Sequence, residues 1–244
     1  MRELLTALLL LMLSSAPAAA QEARQVRRGQ PVAADGSVAY LLFRVDPREG
    51  PGDFDYVLAR ELPGAAPTGR VAAPPRFDPA ARLIRTDSRY PFVDQDGHQA
   101  YLLTVPPGNY AIVAVTYKRM PSIGTCMCMG TVRFEARAGV VNDLGFLLGA
   151  IEDRPTQIPE LAPFTGSPSW THTTPALAIM SVRPAADGME VPAALRALPL
   201  VRAEYGAVGK FPNHFRTMIN RIPPVPGVLD YDGDRAVDLR VALE

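Results

Sequence analysis

The chain has 244 residues, with 25 Lys+Arg against 25 Asp+Glu, 25 Pro, 19 Gly and 2 Cys. A net charge of zero denies it the basic face that nucleic-acid binding needs, an apolar share of 48% excludes a mostly disordered chain, and two cysteines cannot staple a fold of this size. Proline stands at roughly twice its usual share of about 5%, which disfavours long helices.

Residues 1–20 read as a secretory signal. Arg2 stands at the front, Leu4 to Leu13 form an apolar stretch of ten residues, Ser14, Ser15 and Pro17 break it, and Ala18-Ala19-Ala20 offers a small-residue cleavage site before Gln21. The stretch is too short for a transmembrane span, which needs about 20 apolar residues. No cysteine follows it to take a lipid, and no later window is apolar enough to cross a membrane. Cleavage would remove Arg2 and Glu3 together and leave the charge balanced. Only Lys118 and Lys210 among the basic residues are lysine. With the Ala and Pro excess, this reads as coding bias rather than as anion recognition. Together these features describe an exported bacterial protein.

Residues 21–37 are polar and read as a loose leader. A buried strand is expected over Val38–Val45, between Gly36 and Pro47. A second follows where Phe54, Tyr56 and Leu58 alternate with Asp53, Asp55 and Val57. Five prolines between 63 and 79 mark a loop. Asp96-Gly97, set between apolar runs, is a hairpin-turn signal, and Pro106-Pro107-Gly108-Asn109 a second turn. Tyr110–Tyr117, Thr131–Ala136 and Val140–Leu148 are further strand candidates. About seven short strands in some 110 residues argue for an antiparallel β-sandwich over residues 38–150.

Residues 151–244 read as a Pro-rich extension packed on that sandwich. Ala176–Val182 is a possible strand in it, Pro192 opens a short helix over Ala193–Leu198, Phe211–Ile222 is either a short helix or a loop, and Arg221–Gly227 is extended. The pattern Val105-Pro-Pro-Gly-Asn-Tyr110, followed by the apolar strand, Phe134-Glu-Ala-Arg-Ala-Gly139 and Leu144-Gly145, resembles small exported bacterial β-sandwich domains of the transthyretin-like and carboxypeptidase-regulatory-like style. The resemblance covers residues 36–149. It implies a turn, a core strand and a hairpin near the sandwich edge, and carries no catalytic residue.

The most unusual local feature is Cys126-Met127-Cys128-Met129, with Met120 upstream. Thiolate and thioether sulfurs suit Cu(I). On a strand, however, Cys126 and Cys128 share one face and the two methionines the other. Residues i and i+2 of a strand lie about 6.6 Å apart, near the upper limit for a disulfide. Three readings stay open: core filling, a Cys126–Cys128 disulfide, and a metal site using Cys126, Cys128, Met127, Met129 and Met120.

Asp230-Tyr-Asp-Gly-Asp234 has the carboxylates of a calcium loop but not its spacing, and reads as a solvated turn. His98, His172 and His214 are far apart and form no zinc pattern. No nucleophile elbow or phosphate loop is present, and Trp170 suits a seal at the sandwich end. The reading that results is a non-enzymatic cell-envelope or periplasmic binding or structural module, whose candidate partner is an envelope protein. The alternatives are a periplasmic copper-binding or thiol-redox protein and an exported hydrolase.

Overall fold

The computed structural model describes residues 22–32, 34–46, 48, 53–64, 69–95, 98–119, 124–166 and 177–241. The expected signal segment, Met120, Asp96-Gly97, Trp170 and His172 lie outside these. The protein is mainly β, and no helix among the described residues is long and apolar enough to cross a membrane.

Among the described residues sixteen strands follow in chain order: β1 Arg24–Val26, β2 Ala39–Val45, β3 Phe54–Arg60, β4 Ile84–Arg85, β5 Val93–Gln95, β6 His98–Val105, β7 Gly108–Tyr117, β8 Gly124–Cys126, β9 Thr131–Ala136, β10 Val141–Ile151, β11 Ala178–Arg183, β12 Leu200–Arg202, β13 Gly206–Val208, β14 Met218–Ile219, β15 Leu229–Asp232 and β16 Arg235–Asp238. One sheet runs β1-β6-β2-β10-β11, with β5 also on β6 and β12 also on β10. The other runs β13-β9-β7-β3-β4, with β8 on β7 and β14 on β8. β15 and β16 form a separate hairpin, and no sheet closes into a barrel.

The expectation of purely antiparallel sheets is corrected. β10 runs parallel to both β2 and β12, and β14 parallel to β8. The turns at Pro106-Pro107 and Ala138-Gly139 are not hairpins either. Each passes the chain from one sheet to the other, so β6 and β7, like β9 and β10, pair with different neighbours. The polar leader is not wholly loose, since β1 pairs in register with β6, Gln25 opposite Leu103. The expected helix over Ala193–Leu198 shortens to one 3-10 turn, Ala193–Leu195. Residues 211–222 are a loop that carries β14 at Met218–Ile219.

Strand alternation sorts the apolar residues into layers. Leu41, Phe43, Tyr101 and Leu103 of one sheet share a single buried cluster with Tyr56, Leu58, Tyr110, Ile112 and Phe134 of the other. The opposite faces are also covered. Tyr40, Leu42 and Leu102 pack under Leu195 and Val191. Val57, Ala59, Ala111 and Val113 pack under Phe211, with Phe77 and Phe215 beside it. Leu148, Ala150 and Ile179 pack under Ile158 and Leu161. Strands covered on both faces need apolar residues at consecutive positions, which is why Tyr40–Phe43 and Tyr110–Val115 read as unbroken runs.

Two bulges shift the alternation. On β7 the register slips opposite Val57/Leu58, so Val113 is the extra residue. On β10 it slips between Asp143 and Phe146, where Gly145 takes φ +75°. The second bulge anchors a buried ion pair. Asp143 accepts from Arg44 at 2.6 and 3.1 Å and from the Gly145 amide at 2.9 Å, and Arg44 also donates to the Glu190 carbonyl at 2.7 Å.

A second ionic cluster sits at the end of β2. Asp46 is 1% exposed and accepts from Arg48 at 2.6 and 2.5 Å and from Arg183 at 3.2 Å, while Arg183 also grips Glu160 at 2.5 and 2.8 Å. Burial pushes the Asp46 carboxyl up, but the hydrogen bonds from Arg48 and Arg183 outweigh it and hold the group down at about 2. A carboxyl lowered in the folded state stabilises the fold above its unfolded value near 4 and loses that contribution as pH falls toward 2. Urea titrations at pH 5 and pH 2 are therefore expected to show about 2 kcal/mol less of this contribution at pH 2. Asp46→Asn should flatten that part of the acid limb, and an unchanged limb would refute the assignment.

Candidate functional site

The two cysteines are joined as a disulfide, with Cα atoms 5.2 Å apart. The distance falls below the extended-strand figure because β8 ends at Cys126 and the chain turns through Cys128 and Met129. Both cysteines lie in the outer apolar layer beneath Phe211, whereas Met127 is fully buried in the layer between the sheets. Met129 is half-buried. The sequence-predicted sulfur ligands are thus split between layers, and in the bonded state neither cysteine offers the thiolate that a soft metal takes.

This turn is also where the C-terminal segment attaches. Phe211 N donates to Cys128 O at 3.0 Å, Asn220 N to Cys126 O at 2.8 Å, Met129 N to Asn220 O at 3.1 Å and Ile222 N to Gly130 O at 3.0 Å. Met127 N in turn donates to the carbonyl of the bulged Val113 at 2.9 Å. The disulfide therefore fixes a turn on which residues 211–222 are hung.

The acidic turn at 230–234 has structural partners. Asp230–Asp234 spans the β15–β16 hairpin, where Gly233 turns at φ +63°, Asp232 pairs with Arg235 and Asp234 with Lys210. His214 is exposed, and His98 lies on β6, far from it in sequence. Among the described residues no group of three His, Cys, Asp or Glu side chains could hold a metal ion.

One arrangement that sequence reading missed invites a catalytic interpretation. Lys118 Nζ lies 3.2 Å from Ser88 Oγ, the contact of a serine–lysine nucleophile pair. Its surroundings argue for a clamp. Lys118 also donates to Asp87 at 2.9 Å and lies 3.4 Å from Asp55, while Ser88 donates both its hydroxyl and its amide to Asp55. Hydrogen bonds from Arg89, with Lys118 behind them, hold Asp87 well below the usual carboxylate range despite partial burial. Ser88 itself is 5% exposed, and its carbonyl is bonded by Tyr101. The cluster ties β3, β7 and the turn after β4 together.

Two clefts remain. The smaller, about 220 Å³, lies among Asn109, Arg133, Arg137, Arg202, Glu204 and Arg240. Every guanidinium there already faces a carboxylate: Arg133 with Glu61 at 3.6 Å, Arg137 with Glu135 at 3.2 Å, Arg240 with Asp238 at 3.2 Å, and Arg202 with Asp187. Burial pushes the Glu61 carboxyl up, with Arg133 opposing.

The larger cleft, about 540 Å³, opens where β1 and β6 of one sheet meet the end of β3 and residues 78–85 beside the other. That volume is within the range of small-molecule sites. Leu103, Tyr110, Ile84 and Pro106 form its apolar floor, and Leu83, 51% exposed, its lip. Arg24, Arg60, Arg82 and Arg85 line it, with Glu22 and Asp78. Glu22 pairs with Arg82 at 3.2 Å, and Asp78 caps its own turn by accepting from Ala80 N at 2.9 Å. Tyr110 donates its hydroxyl to Pro106 O at 2.7 Å, and burial pushes its pKa up to about 12. No sequence motif could have found this cleft, because its walls come from four separated segments.

A scan against protein-family models, a search of curated proteins and a search of solved structures each found no match.

Proposed function

We propose that the chain is an exported cell-envelope or periplasmic binding module, built on a β-sandwich whose outer faces are wrapped by its Pro-rich segments, with its ligand site in the 540 Å³ cleft at the sheet edge. The observation that carries the reading is the make-up of that cleft. It combines a buried apolar floor with guanidinium groups, which suits holding a ligand more than cutting one. The signal-like residues 1–20, the chain's neutral balance and the oxidised Cys126–Cys128 bond suit an oxidising compartment outside the cytosol.

A broad hydrolase screen of the purified protein is expected to show no turnover above a heat-denatured control. Turnover that a single substitution such as Ser88→Ala abolishes, with folding intact, would overturn the reading in favour of an enzyme.

A further inference from the structure

The two clefts differ in how their arginines are spent. In the smaller cleft each guanidinium has a carboxylate opposite it, so the charge is answered within the protein. In the larger cleft only Arg82 does. Among the described residues Arg24, Arg60 and Arg85 have no carboxylate within salt-bridge distance.

Arg60 is the best placed of the three. It ends β3, and its Nη2 donates to the Pro107 carbonyl at 3.0 Å. The side chain lies across Gly108, where a Cβ would come 3.3 Å from Arg60 Nε. Gly108 holds φ +145°, so the glycine gives the chain both the backbone angle and the room that seat the guanidinium. One anchored hydrogen bond leaves most of its five donors uncommitted. Arg85 turns to the outer face of its sheet, opposite Val57, and reaches Thr116 Oγ1 at 3.4 Å, whereas Arg24 is exposed and lines the cleft. A seated guanidinium with an exposed one at the rim is an anion receptor, and the Leu103–Ile84–Tyr110–Pro106 floor beside it takes apolar surface.

We infer that this cleft binds an amphiphilic anion: a carboxylate or phosphate headgroup held by Arg60 with Arg24 at the rim, and an apolar body on the Leu103–Tyr110 floor and against Leu83. The inference rests on the binding-module reading and specifies its ligand class.

The test is calorimetric titration of the purified protein with decanoate, decyl phosphate, decanol, decyltrimethylammonium and inorganic phosphate, all below micellar concentration. Both anionic amphiphiles should bind about tenfold or more tighter than decanol and than inorganic phosphate, since one charge-assisted hydrogen bond is worth that factor. The cationic probe should not bind, and added salt should weaken the anions but not decanol. The ratio of decanoate to decyl phosphate identifies the preferred headgroup. Arg60→Ala should remove about tenfold of the anion affinity. Arg24→Ser, at an exposed rim position, should remove a smaller factor and keeps the test open if the Arg60 variant fails to fold. Decanol binding as well as decanoate would overturn the anion assignment and leave a binding cleft standing. Inorganic phosphate binding as well as decyl phosphate would overturn the amphiphile. Anion affinity unmoved by either arginine variant would place binding elsewhere. If no amphiphile binds at all, the binding-cleft reading falls together with the inference.

Discussion

Gly145→Ala is expected to cost more than about 4 kcal/mol, enough to leave little folded protein. Gly145 sits in the β10 bulge at φ +75°, a conformation that costs an L-residue roughly 1–2 kcal/mol. The larger cost is steric. A Cβ there would overlap the Arg183 carbonyl oxygen and come 2.5 Å from Ala185 N and 2.6 Å from Pro184 C. All three are backbone, so no side chain can swing aside. β11 would have to leave β10 at the Phe146–Arg183 pairing, taking with it the Arg183 contacts to Asp46 and Glu160. Gly188→Ala isolates the conformational part. It has a similar φ of +79° and nothing within 4 Å of its would-be Cβ, so its cost should stay near 1 kcal/mol. Urea unfolding of both variants decides the matter, and equal losses would mean that the β10–β11 contact yields more easily than its geometry implies.

That bulge also shows why part of this fold is legible in sequence and part is not. The long strands announce themselves, since β2, β3, β6, β7, β9 and β10 fall on the apolar runs expected for them. Turn chemistry is legible too: β5 and β6 pair as expected with Gln95 opposite His98, bracketing Asp96-Gly97. Which sheet a strand joins is not legible. Pro106-Pro107-Gly108 reads like any tight turn, yet it carries the chain from β6 in one sheet to β7 in the other. Three-residue strands such as β12 and β13 are too short for a period to show, and they exist because a neighbour's edge offers hydrogen bonds. The cleft is harder still. Arg24 stands in what reads as a loose leader, Leu83 in a stretch that suggests no element, and Leu103 on a core strand. Arginine bias across the chain reads as coding bias, and within the cleft only the pairing of Arg82 with Glu22 separates it from Arg24 and Arg60. The Cys-Met-Cys-Met segment stays ambiguous for the opposite reason. Alternation does place Cys126 and Cys128 apart from Met127, but whether the backbone turns enough to join the cysteines depends on the strand ending at residue 126.

Asp143→Ala is expected to cost about 3–5 kcal/mol, the loss typical of breaking a buried ion pair from one side. Asp143 is 3% exposed and Arg44 6%. Removing the carboxylate leaves the guanidinium buried with one acceptor, the Glu190 carbonyl, and strips the Gly145 amide of its partner at the same stroke. Because the pair joins β2 to β10, where the two run parallel, the damage falls on the central contact of the first sheet. The pair's own net worth is a separate quantity. Two ions taken out of water recover their desolvation only in part, so a buried pair can often be replaced by apolar residues of similar size at little cost. The double variant Arg44→Met/Asp143→Leu should therefore be clearly more stable than Asp143→Ala alone. Urea midpoints at unchanged m-value measure both effects. A single variant within about 1 kcal/mol of wild type would show that water reaches Arg44 freely. A double variant no more stable than the single would show instead that Met and Leu do not fill the space of the pair, since both variants lack the Gly145 acceptor alike.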